Sequence, residues 1–270
     1  MQAAEHPHMP LRGRLSCPDW RRIGHDAGMA GPVTTHVLLD FFGTLVGYSP
    51  SRTLQGYHAS HALVGSMGAQ ISYEQFLQAW AAESALFDER SAIDDSEFSM
   101  DEVAVGLLTR VLGHDPDHAQ TAALVEAYLS EWNTAVVYPP GVAELVGDLA
   151  DRFRLAVVTN THQADLVPAH LSAMGIAGRF EAVVTSVDVG WRKPHPAIYT
   201  AALECLGITA GNAVFVGDSY IADYAGPTAV GLTAFLIDPD QQHSVPPGRR
   251  LSSLHELPAH LKIYMTDNRD

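Results

Sequence analysis

Residues 33–46 read Val-Thr-Thr-His-Val-Leu-Leu-Asp-Phe-Phe-Gly-Thr-Leu-Val. The apolar run, rich in Val and Leu, reads as a buried parallel strand that stops abruptly at Asp40. Gly43 then lets the chain turn sharply, and Thr44 supplies a hydroxyl just beyond it. One carboxylate is thereby projected from the carboxyl end of a strand, where open α/β sheets place their ligands. Taken alone, Asp-Phe-Phe-Gly-Thr is also ordinary turn chemistry, with Asp40 capping the turn.

Three further segments decide between these readings. Residues 154–160, Arg-Leu-Ala-Val-Val-Thr-Asn, form another apolar strand ending in the hydroxyl of Thr159, with Asn160 next to it. Residues 190–196, Gly-Trp-Arg-Lys-Pro-His-Pro, hold Lys193 in a rigid loop flanked by prolines. Residues 213–223, Ala-Val-Phe-Val-Gly-Asp-Ser-Tyr-Ile-Ala-Asp, are a strand followed by Asp218 and Asp223, five apart. Lysine is otherwise nearly absent: Lys193 and Lys262 stand against fourteen arginines, so Lys193 reads as a site residue rather than surface solvation. The order of carboxylate, hydroxyl, lysine and paired acids resembles the four motifs of the haloacid dehalogenase-like hydrolases, whose first motif is usually Asp-x-Asp-x-Thr.

The resemblance implies that Asp40 attacks a phosphorus or carbon centre and is esterified during turnover, with Thr44 completing the first motif. It implies that Lys193 pairs with the nucleophile and with the oxygens of the transferring group, and that Thr159 hydrogen-bonds the same oxygens. Asn160 and Thr161 would shape the substrate loop, and His162 reads as a helix-start residue. A carboxylate approaching a phosphate dianion needs its charge offset by a hard cation with oxygen ligands. The resemblance gives that cation as Mg²⁺, held by Asp40, Asp218, Asp223 and the backbone carbonyl of Phe42. Asp223 also reads as an acid at a helix N-terminus, favoured by the dipole.

Phe42 stands where the family's second Asp is usual. That Asp protonates the leaving oxygen and later activates water, and phenylalanine can do neither. Two groups of relatives lack it. The 2-haloacid dehalogenases carry an aromatic residue there, because halide leaves without a proton. The phosphonatases carry a small residue and use a cap lysine, yet residues 45–138 contain no lysine. Arg52, Arg90 and Arg110 form no recognisable clamp for a haloacid, and Gly217-Asp218-Ser219 has the phosphatase form of the fourth motif. The expected function is a Mg²⁺-dependent phosphatase acting on a small phosphorylated metabolite. A metal-free, dehalogenase-like hydrolase attacking carbon and a non-catalytic ligand-binding protein remain as alternatives.

With 270 residues, 47% of them apolar and 17% charged, the chain can bury a large core and divide in two. Between Thr44 and Pro139 there is no strand-like run. Helical spacing recurs at 51–67, 73–90, 98–112 and 117–134, with a capping box at Ser72 and Gln75 and a stop at 113–116. Tyr138-Pro139-Pro140-Gly141 is a natural hinge. Residues 47–138 are therefore expected to form a helical cap, with 29–46 and 139–270 as the core. The insertion's position resembles the cap of the subfamily that includes phosphoglycolate phosphatase and 2-haloacid dehalogenase.

After the hinge, helices are expected near 141–151, 163–174, 195–206 and 220–226, and strands near 154–159, 181–185, 213–217 and 232–237. That alternation implies a doubly wound parallel sheet of the α/β class, with a terminal helix within 251–264. Residues 1–28 are expected to be a disordered extension, or to precede a start at Met29. A formal charge of −15 argues against a nucleic-acid surface, and no apolar run approaches the roughly 20 residues of a membrane helix. Cys17 and Cys205, far apart, are read as reduced and the chain as cytoplasmic. The partner expected is a small-molecule substrate; the oligomeric state is not readable.

Overall fold

The structure is a computed structural model that describes residues 33–49 and 55–267. The expected extension at 1–28 and Arg52 lie outside the described residues. Six parallel strands, β1 (His36–Leu39), β2 (Arg154–Thr159), β3 (Phe180–Thr185), β4 (Ala213–Gly217), β5 (Thr233–Ile237) and β6 (Arg250–Leu251), form one sheet in the order β3-β2-β1-β4-β5-β6. The winding reverses at β1, which pairs with β2 on one side and β4 on the other. Leu39 is in register with both Val157 and Val216, so Asp40 emerges at the switch point level with the ends of both neighbours.

Both faces of the sheet are covered, which is why its strands are apolar on successive residues. Val37 and Leu39 pack on one side with α5 (Val142–Ala150), α6 (Leu166–Ala173) and α10 (Leu257–Asp267). Leu38, Val158 and Phe215 pack on the other side with α8 (Pro196–Leu206). Cys205 lies in this second layer and is disulfide-bonded, unlike the reduced thiol read from the sequence.

The insertion folds as α1 (His58–Ser66), α2 (Tyr73–Asp94), α3 (Met100–Leu112) and α4 (His118–Trp132) around a core of its own. Trp80 stacks on Tyr128 at 4.1 Å between ring centres, and Tyr57 stacks on the same tyrosine at 4.8 Å. Ser72 and Gln75 form the expected capping box, and Ser99/Glu102 and Asp117/Gln120 repeat it at α3 and α4. Gly113 ends α3 in the left-handed conformation.

Strands 154–159 and 213–217 coincide with the sequence reading. The helix expected from 163 begins only at Leu166, because Thr161 is engaged elsewhere: its N–H donates to Ser186 Oγ and its hydroxyl to the Gln163 carbonyl. His162 is therefore a loop residue and not a helix start. The helix expected at 220–226 is present but wide: a π-helix over Tyr220–Ala225 runs into the short α9 (Gly226–Ala229). Apart from short 3-10 turns, β6 with two residues and α7 (Ser186–Val189) with four were not foreseen, both too short to show a period. No described helix is long and apolar enough to cross a membrane.

Candidate active site at the strand ends

Asp40 leaves β1 with its N–H donated to the Val216 carbonyl at 2.9 Å, which fixes its backbone against β4. The turn that follows is tight: the N–H groups of Leu45 and Val46 donate to the Phe41 carbonyl, and that of Gly43 donates to Val46. Gly43 has φ of +90°, and a Cβ there would lie 2.3 Å from the Asp218 carboxylate. Only glycine both makes this turn and lets Asp218 approach. Thr44, buried under the turn, donates its hydroxyl to Asp218 Oδ1 at 3.2 Å.

Lys193 Nζ donates to Asp40 Oδ1 at 2.7 Å and to Asp223 Oδ1 at 2.6 Å, and all three side chains are buried. The loop bearing Lys193 is held by Asn160, whose amide oxygen accepts from the Lys193 N–H at 2.7 Å and whose amide nitrogen donates to the Lys193 carbonyl at 3.0 Å. Asp223 reaches the cluster because of the wide turn. Its N–H donates to the Ser219 carbonyl and its Oδ2 accepts from the Ser219 N–H, closing the turn from both ends. Gly217 makes room, since a Cβ at that position would lie 2.3 Å from Asp223. Thr159, buried at the end of β2, lines the same cavity.

Asp40, Asp218 and Asp223 thus offer one carboxylate oxygen each within 4.8 Å of one another. Burial opposes the charge of Lys193, but the carboxylates of Asp223 and Asp40 outweigh it and raise the pKa. Burial, and then Asp40, raise the pKa of Asp218; burial raises that of Asp223 against the pull of Lys193. Three carboxylates bonded or adjacent to a single ammonium leave an excess of negative charge. That donor set, all hard oxygens, fits a divalent cation such as Mg²⁺.

The cluster forms the floor of a cavity of about 360 Å³ between the sheet and the helical insertion. Leu129 and Trp132 from α4, Met100 from α3 and Leu166 from α6 form an apolar part of its wall, beside the polar Asn160, Thr161, His162 and Gln163. Phe42, half-buried, turns its ring toward this wall, with centroids 5.5 Å from Trp132 and 5.6 Å from Tyr48.

A second group of residues was not singled out from the sequence. Glu97, in the link between α2 and α3, is buried against the core. It accepts from Ser186 Oγ, lies 3.0 Å from His162 Nδ1 and is 3.7 Å from Arg192 Nε. Phe98 stacks on His162 at 4.2 Å, and Arg192 lies over Phe98. The signal that could have found it is the pairing of rare charged residues across loops, which needs the fold to be seen.

These observations agree with comparisons to known proteins. Residues 34–231 match the haloacid dehalogenase-like hydrolase family. The chain is 40% identical over 113 residues to human haloacid dehalogenase-like hydrolase domain-containing protein 3, covering 39% of this chain and 44% of that protein. It thus spans under half the length of that relative. It is 28% identical over 213 residues to a ribulose-1,5-bisphosphate 5-phosphatase of Halopiger xanaduensis, covering 78% of this chain and 87% of that one. The crystal structure of a 2-haloacid dehalogenase from Pseudomonas syringae shares the fold, with a TM-score of 0.66 at 24% identity over 86% of this chain and all of that one. With the family match spanning most of the chain and all four motif segments meeting at the ends of its strands, the chain belongs to the haloacid dehalogenase-like hydrolases.

Proposed function

We propose that this chain is a Mg²⁺-dependent phosphatase that cleaves a small phosphate ester through Asp40. The observation that carries the reading is the clustering of Asp40, Lys193, Asp218 and Asp223 at the carboxyl ends of the strands. An Asp40 oxygen attacks phosphorus and forms a new O–P bond as the ester P–O bond breaks. The leaving oxygen departs with the bonding pair. Water then cleaves the aspartyl phosphate, returning the carboxylate and inorganic phosphate. Lys193, 2.7 Å from Asp40, offsets charge on the nucleophile and on the phosphoryl oxygens, and the Thr159 hydroxyl donates to the same oxygens. Asn160 fixes the lysine's backbone and Thr44 fixes Asp218. Asp40, Asp218, Asp223 and the Phe42 carbonyl would hold Mg²⁺, which when bound offsets the charge of the phosphate dianion.

Residues 29–46 and 139–270 act in this reading as the catalytic core and 47–138 as the cap that closes over the ester. The phosphatase name of the Halopiger relative supports the class of reaction. Phe42 is the one observation that favours a dehalogenase instead. Against that reading, the described cap arginines are already paired, Arg90 with Glu102 and Arg110 with Glu83, and neither lines the cavity.

Phosphate release should require Mg²⁺ and stop with EDTA. Asp40→Asn should lower turnover by about a thousandfold or more. Its thermal midpoint should stay near wild type, because Lys193 keeps Asp223 as a partner. Chloride release from 2-chloropropionate without metal would establish the dehalogenase reading, and turnover of neither substrate class would favour a binding protein.

A further inference from the structure

We infer, resting on the phosphatase reading above, that the substrate is a small monophosphate ester with an aromatic leaving group. Two independent observations converge on it. The first concerns the proton. Phe42 occupies the turn beside Asp40 and offers no proton to the leaving oxygen, which favours a leaving group that departs as an anion and takes its proton from solvent. An aryloxide does so far more readily than a sugar or alkyl alkoxide.

The second concerns the wall that faces the phosphate. Phe42 from the core, Tyr48 from the segment after it and Trp132 from α4 all line the cavity. Their ring centroids lie 5.5–6.3 Å apart, Phe42 meeting the other two edge-on. Tyr48 remains 41% exposed, so ring surface is left for a ligand to cover. Contacts of this kind add to simple area burial for an aromatic guest.

Among the described residues, the cations beside the cavity are already engaged by carboxylates. Among the described residues, Lys193 and Arg192 are the only lysine or arginine lining the cavity. Lys193 is bonded to two carboxylates on the floor. Arg192 is turned to Glu97 at 3.7 Å and Asp88 at 3.9 Å and lies over Phe98. A sugar bisphosphate would leave the rings of Phe42, Tyr48 and Trp132 without an aromatic guest.

The step balances as a phosphoryl transfer. The Asp40 O–P bond forms, the aryl O–P bond breaks, and the aryloxide leaves with the pair and is protonated by water. A second water releases phosphate from Asp40.

The test compares four substrates of the full chain in Mg²⁺: acetyl phosphate, phenyl phosphate, hexafluoroisopropyl phosphate and a sugar bisphosphate. Phenol and hexafluoroisopropanol have similar acidity, so that pair separates ring recognition from leaving-group ability. We expect phenyl phosphate to exceed hexafluoroisopropyl phosphate in kcat/KM by about tenfold, mostly through KM. Trp132→Ala should reduce that ratio to within about twofold, and Trp132→Phe should keep it. If the alanine variant fails to fold, the wild-type ratio still decides. Turnover of acetyl phosphate with no phenyl preference, or with the bisphosphate preferred, would overturn the aryl proposal and leave the phosphatase standing. Turnover of none of the four would remove both.

Discussion

Phe42 is the residue on which the chemistry turns. Its ring is held by Trp132 and Tyr48, and it sits two positions from Asp40. An aspartate placed there would join three carboxylates served by one lysine. A carboxyl at that place, two positions from the nucleophile, can carry the proton that the leaving oxygen needs. Phe42→Asp should therefore raise hydrolysis of methyl phosphate by one or more decades, within the roughly 10²–10⁴ that a positioned acid contributes. Hydrolysis of p-nitrophenyl phosphate should respond far less, because its leaving group needs little protonation. Steady-state kcat for the two substrates in both proteins is the measurement. Equal losses on both would mean that Phe42 serves the ring cluster alone.

At the scale of elements, the segment 94–98 ties the cap to the core. Glu97 N–H donates to the Gly190 carbonyl, Arg192 N–H donates to the Asp95 carbonyl, and Ser96 pairs across from Trp191. Glu97 adds a buried carboxylate to Ser186, His162 and Arg192, on the loops that follow β2 and precede Lys193. Glu97→Gln removes that charge and should cost about 1–3 kcal/mol. At about 2–4 °C per kcal/mol for a chain of this size, the midpoint should fall by several degrees. Hydrogen exchange should speed up at Glu97 and Arg192 while the amides of β1 and β4 stay protected. Equal acceleration everywhere would deny the segment a local role.

None of this clasp was legible in the sequence. Asp94-Asp95-Ser96-Glu97 looks like any solvated acidic link, and its partners lie some 65 to 95 positions further along the chain. The strands were legible, because burial on both faces writes an unbroken apolar run into 154–159 and 213–217. Asp40, Lys193, Asp218 and Asp223 were legible for the same reason, each following a strand or standing in a proline-marked loop. Asp223 could not be located beyond its spacing, since the wide turn at 220–225 departs from the α-helical period.

For the whole molecule, acid provides a test with opposing signs. The chain carries a formal charge of −15, so lowering the pH below neutrality relieves self-repulsion and by itself favours the folded state. His36 works the other way. It is 3% exposed at the start of β1, and burial, then Arg154, lower its pKa to about 4. The unfolded chain would bind that proton at about pH 6.5. Between about pH 6.5 and 4 the unfolded state therefore holds more protons than the folded state. The stabilisation from a neutral His36 is complete above this window and is lost as pH falls through it.

The loss amounts to at most about 3 kcal/mol for a shift of this size. Glu181 Oε2 lies 3.7 Å from His36 Nε2 and would soften the loss by attracting a protonated ring. His170, buried between Tyr138 and Asn133, is also lowered by burial and adds to the same limb. Asp218 and Asp223, whose pKa values are raised, take up protons in the folded state over the same range and favour it as pH falls. The His36 contribution is therefore read as a difference: between pH 7 and pH 5 the midpoint of His36→Asn should fall less, or rise more, than that of wild type. A midpoint that rose on acidification, with the rise removed in the variant, would mean that His36 is charged and paired with Glu181 in the folded state.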